Sequence, residues 1–239
     1  MKRHWKKLVA ALFVVIVLVV GGSWFYAKVL NKAPSKFDSK DLVARLDLPV
    51  DGQTSTSAST SGRAPNDLTG VWRPVSTSVV RYRVDETING FGATAVGETN
   101  QITGTLTIDN ATVRGAGFSV DMASFKSDES RRDSQFRGRI MDVAQFPTAT
   151  FNITTPIDFG SVPADGESIE KSVTGELTLH GTTKSVTFDV LAMRKNGKVG
   201  LFGNIPVVFA DYGIPNPSFA TVSTQDHGEL EFVIVLERS

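Results

Sequence analysis

The side chains able to do chemistry are few and scattered in this 239-residue chain. No cysteine is present, which excludes thiolate nucleophiles, disulfides and Cys-based metal sites. Outside the N-terminal tract only His180 and His227 remain, far apart and too few for a His-rich metal centre. His180 precedes Gly181 and reads as a turn residue. Ser and Asp are plentiful, but no Gly-x-Ser-x-Gly elbow marks a nucleophile, and the phosphate-loop and dinucleotide glycine fingerprints are missing. A glycosidase-type carboxylate pair depends on spatial placement and stays open. The remaining cluster, Arg131, Arg132 and Asp133, could orient a ligand head group or cap and pair around a helical turn, and the structural role is favoured. These residue types point away from an enzyme, a metal site and a cofactor.

Charge narrows the partners. The chain carries 25 Lys/Arg and 25 Asp/Glu, but the first seventy residues hold ten basic against five acidic and the remainder fifteen against twenty. The acidic C-terminal part has no basic stripe interleaved with aromatics, so nucleic acid is not expected as a partner.

Three segments follow from composition. Lys2, Arg3, Lys6 and Lys7 precede an uncharged tract from Leu8 to Ala27, which as a helix would span roughly 30 Å, the thickness of a bilayer core. Residues 1–30 are therefore read as a basic flank and a transmembrane signal-anchor, with Trp24 and Tyr26 at the interface and the rest of the chain extracytoplasmic. The alternative is a cleaved secretory signal, although Phe25, Tyr26 and Ala27 make a poor cleavage site. Residues 31–70, with the Ser/Thr-rich run Gln53 to Gly62, are expected to form a flexible extracytoplasmic linker reaching on the order of 35 Å. Phe37, Leu42, Val43 and Leu46 could mark a short amphipathic helix within it, but a loose stalk is the preferred reading.

Residues 71–239 form the folded domain. Period-two alternation predicts an all-β architecture of eight strands: roughly 79–85, 99–108, 112–122, 148–155, 168–179, 184–193, 198–209 and 227–237. Asp109-Asn110, His180-Gly181 and Asn196-Gly197 supply hairpin turns. The charged stretch Ser130 to Ile140 reads as a short helical insertion. Eight strands with short turns imply a closed barrel or a strongly bent sandwich. The inward parity carries Leu106, Phe118, Val120, Leu177, Leu179, Phe188, Val190, Leu201, Phe232 and Ile234, an apolar wall suited to a hydrocarbon ligand or to a plain core. Gly104, Gly175 and Gly203 share that parity and either leave room for a ligand or mark bends. In the last strand Val233 and Val235 lie on the opposite parity, so its outer face is expected to be covered.

Four segments resemble the YceI-like family in order and spacing: Ser124 to Phe136 with Arg132-Asp133, Phe146-Pro147-Thr148-Ala149-Thr150-Phe151, Val173 to Lys184, and Asp211-Tyr212-Gly213-Ile214. Ala210 stands where that family usually has Arg, and Asp85 to Glu98 matches poorly. The resemblance, over about Val75 to Leu236, implies an eight-stranded antiparallel lipocalin-like barrel that binds an isoprenoid or other lipid inside. Arg131, Arg132 and Asp133 are its head-group candidates. On this expectation the chain is a membrane-anchored lipid-binding protein of the cell envelope. The competing expectation is a non-enzymatic envelope interaction module, its barrel filled and its loops contacting protein or polysaccharide.

Overall fold

The computed structural model describes residues 21–22, 33–49 and 67–239. The apolar tract and the Ser/Thr-rich run therefore lie almost wholly outside the described residues. Among those described, no helix is long and apolar enough to cross a membrane.

The first described element is the helix α1 (Ser39–Asp47), begun by a capping box in which Asp38 accepts from the Asp41 amide and Asp41 accepts from the Asp38 amide. Thirteen strands follow: β1 (Gly70–Pro74), β2 (Val79–Ile88), β3 (Phe91–Thr99), β4 (Ile102–Asp109), β5 (Thr112–Asp121), β6 (Lys126–Ser127), β7 (Thr148–Ile153), β8 (Ile157–Asp158), β9 (Ser168–Leu179), β10 (Thr182–Lys195), β11 (Lys198–Val208), β12 (Val222–Thr224) and β13 (His227–Arg238). Between β6 and β7 lie α2 (Ser130–Gln135) and a π turn at Phe136–Ile140, the expected helical insertion.

Pairing is antiparallel throughout and runs β1, β4, β5, β7, β9, β10, β11, β13, with β13 returning to β1. The ring closes because β1 and β2 lie end to end along β13, Trp72 facing Arg238 and Val79 facing Val233. Ser78 bridges the break between them, its hydroxyl donating to the Val235 carbonyl and accepting from the Val235 amide. β3 and β4 likewise form one interrupted stave, so the barrel has the eight staves expected.

Five strands have no counterpart among the eight expected: the two- and three-residue β6, β8 and β12, and the longer β1 and β3. β1 is five residues ending in Pro74, too short to show alternation, and β3 is built from Gly, Ala and Thr with little contrast between its faces. A signal for β3 was present in Asn89-Gly90, whose positive φ values of 49° and 86° make the turn back from β2. Two of the three expected hairpin turns share this geometry, His180 (50°) with Gly181 (74°) and Asn196 (54°) with Gly197 (74°), whereas at Asp109-Asn110 only Asn110 has a positive φ, 54°.

The glycines do not leave the space the sequence suggested. A Cβ on Gly175 would lie 2.4 Å from Phe151 Cζ and 2.5 Å from the Asn152 carbonyl oxygen; on Gly203 it would lie 2.7 Å from Phe232 Cζ. Each admits a neighbouring aromatic ring, so the volume is filled by protein. At Gly104 the strands approach so closely that a Cβ would meet the Gly117 carbonyl oxygen at 2.1 Å, and φ is +137°.

Residues 33–49 are a docked strap, not the loose stalk expected. Leu42 and Leu46 are fully buried against Val79, Met193, Val233 and Val235 on the outer face of the barrel. A buried charge cluster lies under its start: Arg83 pairs with Glu231 at 2.8 Å and donates to the Pro34 carbonyl, while Arg81 donates to Ser35 and lies 3.8 Å from the Phe37 ring. The outer-face cover expected for Val233 and Val235 is therefore supplied by this strap. The described residues on either side of the Ser/Thr-rich run attach at one end of the barrel, Leu48 through Lys198 and Asp67 through Arg238. The flexible linker expected over residues 31–70 is thus corrected over 33–49 to a docked strap, while the Ser/Thr-rich part of that expectation lies outside the described residues.

Candidate ligand-binding site

Opposite that end the barrel is open. β5 leads into the 3-10 turn Met122–Ser124 and then the α2 insertion, while β11 leads into a second 3-10 turn, Phe209–Tyr212. These segments splay away from the staves and surround a pocket of about 420 Å³ at the mouth. Its wall is largely apolar, with Tyr82, Phe125, Phe136, Ile140, Phe209, Ile214 and Phe219 prominent. Tyr82 stacks on Phe136 at 4.9 Å, and Phe125 leans on both rings. Burial pushes the Tyr82 hydroxyl well above its ordinary pKa and keeps it neutral.

Below the mouth lies an inner chamber of about 150 Å³ with an almost wholly apolar lining. Met122, Phe125, Leu179 and Leu230 line both spaces and form the neck between them. Of the residues singled out from the sequence, Leu106, Phe118, Val120, Leu177, Leu179, Phe188, Val190, Leu201, Phe232 and Ile234 all line the chamber. Gly175 and Gly203 do not, because Phe151 and Phe232 occupy the space over them. Around the chamber, Phe188 meets Phe151 and Phe232 edge to face at 5.2 and 5.9 Å.

The three head-group candidates separate. Arg131 and Arg132 line the mouth; Asp133 does not. Its carboxylate accepts from the Ser127 amide at 2.8 Å and hydroxyl at 2.6 Å, which ties α2 to β6. Arg132 pairs with Asp128 and lies 3.6 Å from Glu86, whereas Arg131 is exposed on the rim. Burial pushes the Glu86 carboxyl above its usual range, with Arg132 opposing the shift.

Several mouth residues were not singled out from the sequence. Phe125 and Phe136 lie inside the first resembling segment, and Phe209 and Ile214 flank or end the last, so position was a signal that composition was not. Tyr82 had none beyond its inward parity. Neither described histidine lines the mouth or the chamber: His180 packs on Phe146 at 4.6 Å and its Nδ1 lies 3.2 Å from the Tyr212 carbonyl oxygen, and His227 pairs with Asp226. No cluster of three or more His, Cys, Asp or Glu suited to a metal occurs among the described residues.

A closed antiparallel barrel with an apolar chamber open at one end defines a lipocalin-like architecture. The chain belongs to the YceI-like domain family, whose sequence profile matches residues 73–236. Curated relatives include a UPF0312 protein of Vibrio campbellii, 29% identical over 128 residues covering 50% of this chain and 64% of that protein. Another, from Pseudomonas putida strain W619, is 34% identical over 133 residues covering 52% of this chain and 65% of that protein. The matches thus span just under two thirds of those relatives. Among solved structures, a polyisoprenoid binding domain from Saccharophagus degradans implicated in plant cell wall breakdown superposes with a TM-score of 0.59 at 16% identity. It is covered to 99% and this chain to 72%. Burkholderia cenocepacia BcnA gives 0.53 at 22% identity, with 95% of it and 66% of this chain covered. At these identities the likeness is one of fold.

Proposed function

We propose that this protein is a membrane-anchored, extracytoplasmic lipid-binding protein that holds a polyisoprenoid or similar amphiphile and catalyses nothing. The observation that carries the reading is the neck: mouth and chamber share four apolar residues, so one chain can thread from the rim into the barrel. An apolar cavity of about 150 Å³ stays dry and accepts a small hydrocarbon guest, so the chamber suits the end of a prenyl chain. The mouth, at about 420 Å³, is of ordinary ligand size and would hold the next units and the polar head beside Arg131 and Arg132. Each buried CH₂ contributes about 0.8 kcal/mol, which favours a long chain over a short one. The structural neighbour described as a polyisoprenoid binding domain supports the same ligand class. Anchoring and export rest on the basic flank and the uncharged tract of the sequence.

The test is uptake of polyprenols of increasing length by the purified protein, with mass spectrometry of its organic extract. Affinity should rise with chain length until the chamber is filled. Ala149→Leu, which adds bulk to the chamber wall, should lower the uptake of long chains, and Arg131→Glu should weaken binding of those with an anionic head. Empty extracts and no uptake at any length would discard the lipid reading in favour of an interaction module working through its loops.

A further inference from the structure

The strap gives the barrel a direction relative to the N-terminal tract. Pro34 and Ser35 sit at Arg83 and Arg81, and Lys36 pairs with Glu229 at 2.6 Å, within a few residues of the rim residues Glu86 and Leu230. At the other end of the strap Asp47 reaches Lys195 and Asn196, in the β10–β11 turn at the closed end. The chain therefore meets the barrel on the side of its mouth. Between Ala27, the last of the uncharged tract, and Pro34 are seven residue steps, at most about 25 Å of extended chain. From the level of Pro34 to the closed end is about 20–25 Å, given nine residues of β13 at the usual strand tilt. Standing the barrel on its closed end would demand the tether's full reach, whereas a mouth-down arrangement leaves it slack.

The rim carries a second, independent feature. Phe219 is the most exposed large apolar side chain among the described residues, at 57%, and it lies on the loop of residues 214–221 that borders the mouth. Arg139 donates to the Pro217 carbonyl on that loop at 2.8 Å, its guanidinium 5.9 Å from the Phe219 ring, and Arg131 stands on the same rim. An exposed aromatic flanked by arginines suits the interface between acyl chains and anionic head groups.

We propose that the open end of the barrel rests on the lipid bilayer, with the 214–221 loop as its contact, so that the ligand passes between membrane and chamber without crossing water. This rests on the reading of the uncharged tract as an anchor. The closed end, with Leu48 and Asp67, then points away from the membrane.

The absence of cysteine makes single-site labelling clean. The full chain is reconstituted into vesicles of phosphatidylcholine and phosphatidylglycerol, with an environment-sensitive fluorophore on Thr221→Cys at the rim or Ser161→Cys at the closed end. Quenching by spin-labelled lipid should be several-fold stronger at Thr221 than at Ser161, and Phe219→Ser should reduce it. Equal quenching at the two positions, or stronger quenching at Ser161, in a chain that floats with the vesicles overturns the orientation alone. A chain that does not float with them overturns the anchor reading and the orientation together.

Discussion

The docked strap makes a stability prediction that a loose stalk does not. Leu42 and Leu46 are both fully buried, and their methyl groups approach Gly200 on β11 so closely that a Cβ there would lie 2.6 Å from Leu42 Cδ1. Truncating a fully buried leucine costs about 2–5 kcal/mol. In a domain of this size each kcal/mol moves the melting midpoint by about 2–4 °C. Leu46→Ala should therefore lower it by about 4–20 °C, comparable to Leu177→Ala inside the barrel. The assay is thermal unfolding by circular dichroism, paired with amide exchange across residues 39–47. If strap and barrel unfold as one unit, the double variant Leu42→Ala, Leu46→Ala approaches the sum of the singles. If the strap detaches first, the loss saturates and exchange at 39–47 becomes fast while the strands stay protected. Single variants that melt within 1 °C of the parent, on the order of a few tenths of a kcal/mol, would refute the docked strap and the tether argument with it.

Three further outcomes follow from buried groups. Glu231, 2% exposed, pairs with Arg83 at 2.8 Å, so Glu231→Ala takes the carboxylate from that buried guanidinium, while Arg81 keeps Glu98 at 2.8 Å, and should cost about 3–5 kcal/mol in urea unfolding. Glu86 has its pKa raised by burial, so the folded state binds its proton more tightly. Its contribution to stability is full below the ordinary carboxylate pKa and is lost as pH rises through the raised value; Glu86→Gln should flatten that part of the stability profile. Gly175→Leu should destabilise by overpacking against Phe151 and the β7 backbone, by about 1–3 kcal/mol or more, and a variant of parental stability would show that the ring moves aside freely.

Most of the barrel was legible because one of its faces is buried. Alternation along 102–108, 173–179 and 186–192 marks the chamber wall directly, and Asn-Gly or His-Gly pairs mark the turns. Legibility failed where a strand had no contrast, as in β3, or no length, as in β1. It failed differently at the glycines. Parity correctly put Gly175 and Gly203 on the inward face, but whether an inward glycine yields a void depends on the next strand, and Phe151 and Phe232 were there to fill it. The mouth was harder still, since its wall comes from the insertion and the loops, which have no period to read.

The strap shows how two weak signals could have been joined. Phe37, Leu42, Val43 and Leu46 have helical spacing, and Val233 and Val235 put apolar side chains on the outside of a stave. Each alone is ambiguous, because a nine-residue helix is marginal in water and an exposed valine pair is tolerable. Together they satisfy each other: the outer valines need a cover, and the helix needs a surface to bury against. Arg81 and Arg83 belong to the same outward parity, and buried outward charges on a barrel wall make sense only beneath a covering segment that supplies partners, here the Pro34 and Ser35 carbonyls and the Phe37 ring. Because those charged contacts cluster at one end of the strap and the leucines at the other, the strap can dock in a single polarity. That polarity sets the strap's N-terminal end, at Pro34 and Ser35, on the mouth side of the barrel.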